Sequence, residues 1–391
     1  MNINLKILPY LLIIALLNSC IELEISAPSF IDIATYFSVS VAVVGSTITY
    51  NLFGFSLASI LYGPLSESYG RRRIMLIGNG ILTIGAIGCV IASSIDWLLM
   101  ARFIQGLGAA TSAVVVSAIV ADVYDSRQSA KLYGIMNAVF TSVMAISPVL
   151  GGIINNAIGW RGNYGVVAGI CVISWLLLLC LLPETKHKKV KFKLLKIIND
   201  YKSLATSRVF LSAALVPNLL YSCYVTFVAI APFLYMQAFN LSILTYTLHQ
   251  GVVVAVFAIT SLLAGKLFDI FGLKQNIYLG LTAIILGSTC MLFTNSVYAL
   301  TIFMSVFCIG FAIIVLIVFP HSMEIFPEIK GTASSAIICL RYLVCSILTG
   351  TASFLYNGRA ISLTMLIAFV TFIVCYLVMH LMRKGLVNEE S

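Results

Sequence analysis

The 391-residue sequence has few charged residues, since Asp, Glu, Lys and Arg together make up only 9% of it. A soluble globular domain has about a quarter of its residues charged. Apolar residues instead make up 61% of this chain, and its mean hydropathy is +1.06. The composition therefore excludes an ordinary soluble domain and predicts an all-α polytopic membrane protein.

The sequence also lacks the patterns that carry catalysis or metal binding. Its ten cysteines are scattered singly without a CxxC pair, and its four histidines belong to no cluster with metal-ligand spacing. The glycine-rich stretches carry no phosphate-loop lysine, and no nucleophile motif stands out. We therefore expect neither an enzyme nor a bound metal or cofactor, and we interpret the cysteines as small buried apolar residues.

Twelve segments are predominantly apolar over about 20 residues, the length of a helix that crosses a bilayer. One long polar stretch, PETKHKKVKFKLLKIINDYKSLATSR, separates the sixth segment from the seventh. This organisation predicts an N-terminal six-helix bundle (1–183), a basic cytoplasmic linker (184–208) and a C-terminal six-helix bundle (209–391). The predicted spans are 7–30, 41–62, 74–93, 97–120, 132–153, 164–182, 209–235, 246–267, 277–293, 298–319, 333–356 and 360–382.

Positive charge exceeds negative charge, with 23 Lys and Arg against 14 Asp and Glu. If both termini are cytoplasmic, most of the 23 basic residues fall in cytoplasmic loops, as expected for an inner-membrane protein. Only Arg161 and Arg359 fall outside, and Arg102 and Arg341 lie within spans. The excess therefore indicates topology and an anionic inner leaflet as electrostatic partner, and it does not indicate nucleic-acid binding.

The two halves of the chain repeat each other at nearly one offset, which indicates a duplication. The matched pairs are Pro28 with Pro232, 204 residues apart, and Gly63 with Gly265, Gly70 with Gly272 and Asp122 with Glu324, each 202 residues apart. Because six spans separate equivalent points, both copies have the same orientation in the membrane. Parallel repeats with a site between them are typical of rocker-switch transporters, and a channel is the weaker alternative.

The loop after the second span resembles a motif of the major facilitator superfamily. The stretch GPLSESYGRRRIML begins at Gly63 and is similar to G-x-L-x-D-x-x-G-R-[KR], with Glu67 in place of the usual aspartate. Gly63 and Gly70 allow a tight turn and a close helix approach, while Arg71 and Arg72 hold the loop in the cytoplasm. The acid can pair with either arginine or cap a neighbouring helix N-terminus.

The resemblance implies a specific partner for Glu67, namely the start of the eleventh span at 331–335. Such a contact would latch the two halves together on the cytoplasmic side and stabilise an outward-open state. Asp122 and Glu324, at the cytoplasmic ends of spans 4 and 10, would extend this charge network. Asp269 belongs to GKLFDIFG, the second copy of the loop motif, and we assign it to the same latch.

Two further motifs resemble those of proton-coupled antiporters and exporters within the superfamily. ARFIQGLGAA is similar to the span 4 motif of the antiporters, and AISPVLGG is similar to the span 5 motif of the exporters, except that Ser147 replaces its first glycine. The matching residues are Arg102, Gln105, Gly106 and Gly108 in span 4, and Pro148, Gly151 and Gly152 in span 5. Together with YGPLSESYGRR, VSAIVADVY and FPEIKGTASS, they resemble the bicyclomycin/chloramphenicol-resistance (Bcr/CflA) branch of drug:proton antiporters.

The first span contains two glutamates in the stretch NSCIELEISAP. A carboxyl group in a low-dielectric environment can take up and release a proton near neutral pH, as proton coupling requires. The branch resemblance favours Glu24, four residues before Pro28, whereas the polar stripe through Asn18 and Ser26 favours Glu22. We expect at least one of the two to couple transport to protons, with a slight preference for Glu24, and pairing with Arg102 is the alternative role.

Both intramembrane arginines need an explanation, because a charge in the membrane interior costs at least about 3 kcal/mol. Arg102 is expected to face the bundle or a cavity, with snorkelling to the outer interface as the alternative. Arg341 lies ten residues into its span and departs from the branch pattern. It could balance a glutamate, bind an anionic substrate or serve a structural pairing.

The sequence therefore predicts a proton-coupled drug exporter of the major facilitator type. We expect a monomer in the bacterial inner membrane, with small molecules, protons and lipids as partners and the proton gradient as its energy source. One alternative is a carrier for an anionic metabolite such as a carboxylate siderophore. Another is a sensor or binding protein that keeps the fold but has lost transport.

Overall fold

The computed structural model describes residues 7–124, 126–186, 194–326 and 329–384, and helices make up most of these ranges. Eleven helical stretches of the described residues are long and apolar enough to cross a membrane, and α6 provides a 33-residue helix where span 5 was predicted. The helices are α1 (Leu8–Glu24), α2 (Phe30–Phe37), α3 (Val41–Tyr69), α4 (Arg71–Val90), α5 (Ile95–Val123), α6 (Ser126–Ile158), α7 (Trp160–Leu181), α8 (Leu194–Thr206), α9 (Arg208–Pro232), α10 (Ile243–Leu292), α11 (Val297–Glu324), α12 (Lys330–Leu355) and α13 (Ala360–Arg383).

Equivalent positions of the repeat have equivalent backbone geometry. Gly70 ends α3 with φ of 105°, and Gly272 interrupts α10 with φ of 70°. Side chains disfavour both conformations, so glycine is the residue that allows these turns. The chain also leaves α-helical geometry beside both matched prolines, in a 3₁₀ turn at Ala27–Ser29 and a π-helical turn at Phe233–Ala238. The predicted spans 8 and 9 meet within α10 at the turn of Gly272, where the backbone leaves helical geometry.

The linker predicted at 184–208 contains a helix, α8, that packs against both halves of the chain. The Tyr201 hydroxyl donates to the carbonyl oxygen of Ile60 in α3 at 3.0 Å. Leu204, on the same side, is buried against Phe210 of α9 and Ile337 of α12. The amphipathic helix therefore lies across the end of α3 and the start of α12. The division of the chain into two bundles at these boundaries stays a prediction.

Helices α3 and α12 form a long antiparallel contact between the first and second halves of the chain. Three hydrogen-bonded or close pairs mark it, from the first half of α3 towards its end. The Ser346 hydroxyl donates to the Thr49 carbonyl at 3.1 Å, the Ser56 hydroxyl donates to the Cys339 carbonyl at 3.0 Å, and a Cβ on Gly63 would lie 2.7 Å from the Ser335 Oγ. Any rocking of one half against the other must separate part of this contact.

A single substitution should lock the α3–α12 contact. The Ser56 Oγ lies 3.3 Å from the Cys339 Sγ, and all ten native cysteines are free. In Ser56→Cys, a membrane-permeant oxidant should therefore form a disulfide that blocks transport, and reductant should restore it. Non-reducing peptide mapping detects the bond, and Ser56→Cys/Cys339→Ala is the matched control that oxidant should not affect. Undiminished transport by the cross-linked protein would show that this contact does not move.

Candidate transport site

A buried ion pair joins α1 to α5 in the first half of the chain. The Arg102 Nη1 lies 2.8 Å from the Glu22 Oε2, and both side chains are completely buried. The same nitrogen donates to the Glu22 carbonyl oxygen at 3.2 Å. Arg102 therefore does not snorkel to the interface; its charge is balanced inside the protein, as burial of an ion requires.

Two amide side chains complete the surroundings of this pair. The Asn51 Nδ2 of α3 donates to both Glu22 carboxylate oxygens, at 3.0 and 3.2 Å, and to the Arg102 carbonyl oxygen at 3.2 Å. The Gln105 Oε1, one turn further along α5, accepts from the Arg102 Nη1 at 2.8 Å. Both amides are fully buried. The network thus fixes α1, α3 and α5 to one another through charge-assisted hydrogen bonds.

Close approach of these helices depends on the glycines of the span 4 motif. A Cβ on Gly106 would overlap the backbone of Asn51, and a Cβ on Gly108 would overlap the backbone of Gly78 and Leu82 in α4. Small residues at such positions let membrane helices approach closely. The spacing in ARFIQGLGAA therefore has a packing cause, since its glycines bring α5 close to α3, which carries Asn51, and to α4.

Glu24 lies on a different side of α1 and does not join this ion pair. The residue is 6% exposed, and its Oε2 has no hydrogen-bond partner among the described residues. Its carboxyl group lies within electrostatic range of Tyr221 and Tyr224 in α9 and Tyr246 in α10. Glu24 therefore lies near the second half of the chain without an ion pair among the described residues, whereas Glu22 is paired with Arg102 inside the first half.

Arg341 in α12 has no acidic partner within the described ranges. Its Nε donates to the Asn218 Oδ1 of α9 at 3.1 Å. The guanidinium carbon lies 5.4 Å from the ring centre of Tyr221 and 5.6 Å from that of Phe319 in α11. Of the roles considered for Arg341, pairing with Glu22 is wrong, because Glu22 is paired with Arg102.

A second charge cluster lies where α4 begins and where α5 and α7 end. The Arg71 Nε lies 2.8 Å from the Asp122 Oδ2, and the Lys186 Nζ lies 3.8 Å from the Asp122 Oδ1. Glu184 caps the start of α4, because its Oε1 accepts from the Arg71 amide at 2.8 Å. Arg72 donates to the carbonyl oxygen of Leu182 at 2.7 Å. Asp122 thus forms the arginine pair, and Glu184 the helix cap, that the sequence suggested for Glu67.

The latch predicted for Glu67 involves residues outside the described ones. Glu67 is half-buried and forms no ion pair with another described side chain, so the local pair with Arg71 or Arg72 is not present. Its predicted partner at 331–335 begins with Gly331, whose surroundings lie outside the described set, and so does the side chain of Asp269. Glu324 is exposed at the end of α11. The latch stays a prediction.

The exporter-type motif lies where α6 meets both halves of the chain. Pro148 is buried inside α6. A Cβ on Gly151 would overlap the carbonyl oxygen of Ile25 beside Glu24, and a Cβ on Gly152 would lie 3.0 Å from the Thr247 Cγ2 in α10. The two glycines thus allow α6 to approach α1 on one side and α10 on the other.

Asn51, Asn218 and Glu184 also belong to these networks, although they were not predicted from the sequence. Asn51 and Asn218 are single amides within apolar spans, and their cost in a membrane was a usable signal. Glu184 directly follows Pro183 in a basic stretch, and nothing in the sequence indicates that it turns back to α4. Among the described residues, no group of three or more His, Cys, Asp or Glu could hold a metal ion.

The fold and these buried charges define a class of protein, the multi-pass membrane transporters. The chain belongs to the Major Facilitator Superfamily, whose family profile matches residues 12–349. It is 23% identical over 323 residues to the chloramphenicol resistance protein CraA of Acinetobacter baumannii, covering 81% of this chain and 78% of that protein. It is 26% identical over 290 residues to the multidrug resistance protein MdtL of Klebsiella pneumoniae, covering 73% of each.

A solved structure confirms the fold. The crystal structure of a D-xylose-proton symporter superimposes with a TM-score of 0.77 at 14% sequence identity, covering 95% of this chain and 97% of the symporter. At this identity the likeness shows the major facilitator fold alone. The predicted family and fold class are confirmed.

Proposed function

We propose that this protein is a proton-coupled antiporter that exports amphipathic drugs by alternating access. It works as a monomer in the bacterial inner membrane with both termini in the cytoplasm. The proton gradient supplies its energy, so the chain needs no bound cofactor. The names of its relatives, which are chloramphenicol and multidrug resistance proteins, support the choice of substrate class.

The position of Glu24 is the observation that carries this proposal. Of the two glutamates in α1, Glu22 is held by Arg102 and Asn51, whereas Glu24 has an unpartnered carboxylate oxygen. An unpaired ionisable group in a membrane interior is expensive and is typical of a proton or substrate pathway. Glu24 also faces α9 and α10, across the division between the halves. It is therefore the group that binds a proton and a drug in alternation.

The transport cycle follows from competition at Glu24. When the site is open to the periplasm, a proton binds to the carboxylate and displaces the drug. When the site is open to the cytoplasm, the proton leaves, and the charged carboxylate is again available to a cationic or polar drug. The aromatic rings of Tyr221, Tyr224 and Tyr246 offer the drug an apolar surface whose hydroxyl groups can hydrogen-bond.

The Glu22–Arg102 pair and the cytoplasmic cluster support the movement of the two halves and do not carry the transported proton. Glu22, Arg102 and Gln105 keep α1 and α5 together, so that the first half moves as one unit. On the cytoplasmic side, Glu67, Asp269 and Glu324 latch the halves when the site opens to the periplasm. The Arg71–Asp122 pair holds the loop that carries the latch.

Transport driven by a pH gradient tests the proposal. The purified full chain in liposomes with an acidic lumen should accumulate chloramphenicol, because protons that leave drive the drug inward. A protonophore should abolish the accumulation, and protein-free liposomes are the control. Chloramphenicol uptake that does not respond to the size or direction of the pH gradient would contradict proton coupling.

A further inference from the structure

Arg341 places a positive charge deep in the membrane. It lies eleven residues after Lys330 at the start of α12, about 16 Å along the helix at 1.5 Å per residue. The side chain is half-buried. An arginine at this depth is costly unless it faces a polar cavity or a counter-charge.

The surroundings of Arg341 hold its guanidinium in place but do not balance its charge. Asn218 accepts from the Nε at 3.1 Å, while the Asn218 Nδ2 donates to the Ile337 carbonyl at 3.0 Å. Asn218 is fully buried. Both its amide oxygen and its amide nitrogen are therefore fixed by hydrogen bonds. The two Nη groups of Arg341 hydrogen-bond to no described residue and are not among the fully buried, unpartnered atoms.

Arg102 is a second intramembrane arginine in the same protein, and its surroundings can be compared with those of Arg341. That guanidinium is completely buried and has the Glu22 carboxylate at 2.8 Å, whereas no described carboxylate lies within ion-pair distance of Arg341. The fully buried arginine of the first half thus comes with its counter-ion. Arg341 has a neutral orienting partner and accessible Nη groups instead, which is the arrangement of a binding group.

The neighbours of Arg341 suit one end of an amphipathic molecule. Its guanidinium carbon lies 5.4 Å from the Tyr221 ring centre and 5.6 Å from the Phe319 ring centre. Tyr221 also lies within electrostatic range of both Glu24 and Arg341. The positive group therefore lies over this ring, and an ionisable acid of the first half lies in the neighbourhood of the same side chain.

We infer that Arg341 is a subsite for the carboxylate of an acidic or zwitterionic amphipathic substrate. The Nη groups form a fork that binds a carboxylate through two parallel hydrogen bonds. Asn218 orients the fork, and Tyr221 and Phe319 contact the apolar body of the substrate. This inference rests on the proposed function and narrows the drugs that the transporter prefers.

A matched pair of ligands tests the inference. Norfloxacin has a carboxylate, and its methyl ester lacks that charge but keeps the rest of the molecule. The purified full chain should bind norfloxacin about tenfold more tightly than the ester, measured by equilibrium dialysis where the carboxylate is ionised. Arg341→Gln should abolish this ratio, and Arg341→Lys should reduce it because lysine keeps the charge but lacks the fork. Arg359→Gln, in an exposed loop, should leave it unchanged.

The outcomes separate this inference from the proposed function. An unchanged ratio in Arg341→Gln, or no preference in the wild-type protein, overturns the carboxylate subsite. If Arg341→Gln does not fold, Arg341→Lys decides, and a wild-type ratio in that variant overturns the subsite as well. Proton-driven chloramphenicol transport without any preference for the acid would leave antiport standing. A clear preference without proton-driven transport would leave the subsite standing and remove antiport.

Discussion

Glu24→Gln should reduce pH-gradient-driven drug transport to the level of protein-free liposomes. Glutamine has the shape of a protonated glutamate but cannot release a proton, so the cycle cannot reset. Because Glu24 has an unpartnered oxygen and forms no described ion pair, the substitution should leave the protein folded. Exchange of labelled for unlabelled chloramphenicol across the membrane, without a gradient, should weaken as well, because the neutral glutamine resembles the protonated state that releases the drug. Liposome assays of both kinds measure the difference.

Asp32→Asn is the matched control for this prediction. Asp32 is an exposed acid in α2, eight residues after Glu24, and it accepts from the Asn155 Nδ2 at 2.5 Å. Its loss should leave gradient-driven transport intact. If Glu24→Gln still concentrates drug against its gradient, the proton is carried by another group.

Substitution of either member of the buried ion pair should strongly destabilise the protein. Glu22→Gln leaves the Arg102 charge without a partner, and Arg102→Met leaves the Glu22 charge in the same position. Loss of one partner of a buried pair costs about 3–5 kcal/mol. The double variant should recover most of this loss, since replacement of both charges removes the unpaired ion. Thermal unfolding of the four proteins in one detergent measures the cycle.

The partly exposed pair between Lys186 and Asp122 provides the comparison. Its atoms are 3.8 Å apart, and the two side chains are 22% and 19% exposed. Lys186→Ala should therefore change stability by less than about 1 kcal/mol, as for a solvent-screened pair. A Glu22→Gln protein as stable as the wild type would show that the Glu22–Arg102 contact is not a tight ion pair in the membrane.

The architecture of this protein could be predicted from its sequence because membrane helices have simple requirements. A bilayer needs about 20 apolar residues for each span, and basic residues mark the cytoplasmic loops. The repeat was visible because particular backbone turns need glycine. Gly70 and Gly272 both have a positive φ, so the duplicated turn preserved the same residue type at the same offset.

The partners of the buried charges could not be predicted with the same success. Glu22 and Glu24 are two residues apart, so helical geometry places them on different sides of α1. Which side faces Arg102 depends on how α1 packs on α5, and the sequence of α1 alone does not specify this packing. Within the polar stripe of α1, Glu22 pairs with Arg102 of α5, whereas Ser29, further along the chain, accepts from Asn163 of α7.

The pairing of charges at the start of α4 could not be predicted from the sequence either. Glu67 is close in sequence to Arg71, yet Arg71 bonds to Asp122, which lies 51 residues away, at 2.8 Å. Glu184, 113 residues away, accepts from the Arg71 amide. The ends of α5 and α7 bring these acids to the start of α4, so helix packing decides the pairing and sequence separation does not.

Proton release on drug binding tests most directly whether Glu24 couples drug to proton. Tetraphenylphosphonium is a permanently charged lipophilic cation that neither takes up nor releases protons. When it binds to the purified full chain in weakly buffered detergent solution, the wild-type protein should release a proton, visible as acidification of the solution. Glu24→Gln should bind the cation more weakly, and the cation that it binds should cause no acidification. Equal proton release by the wild-type protein and Glu24→Gln would contradict the account.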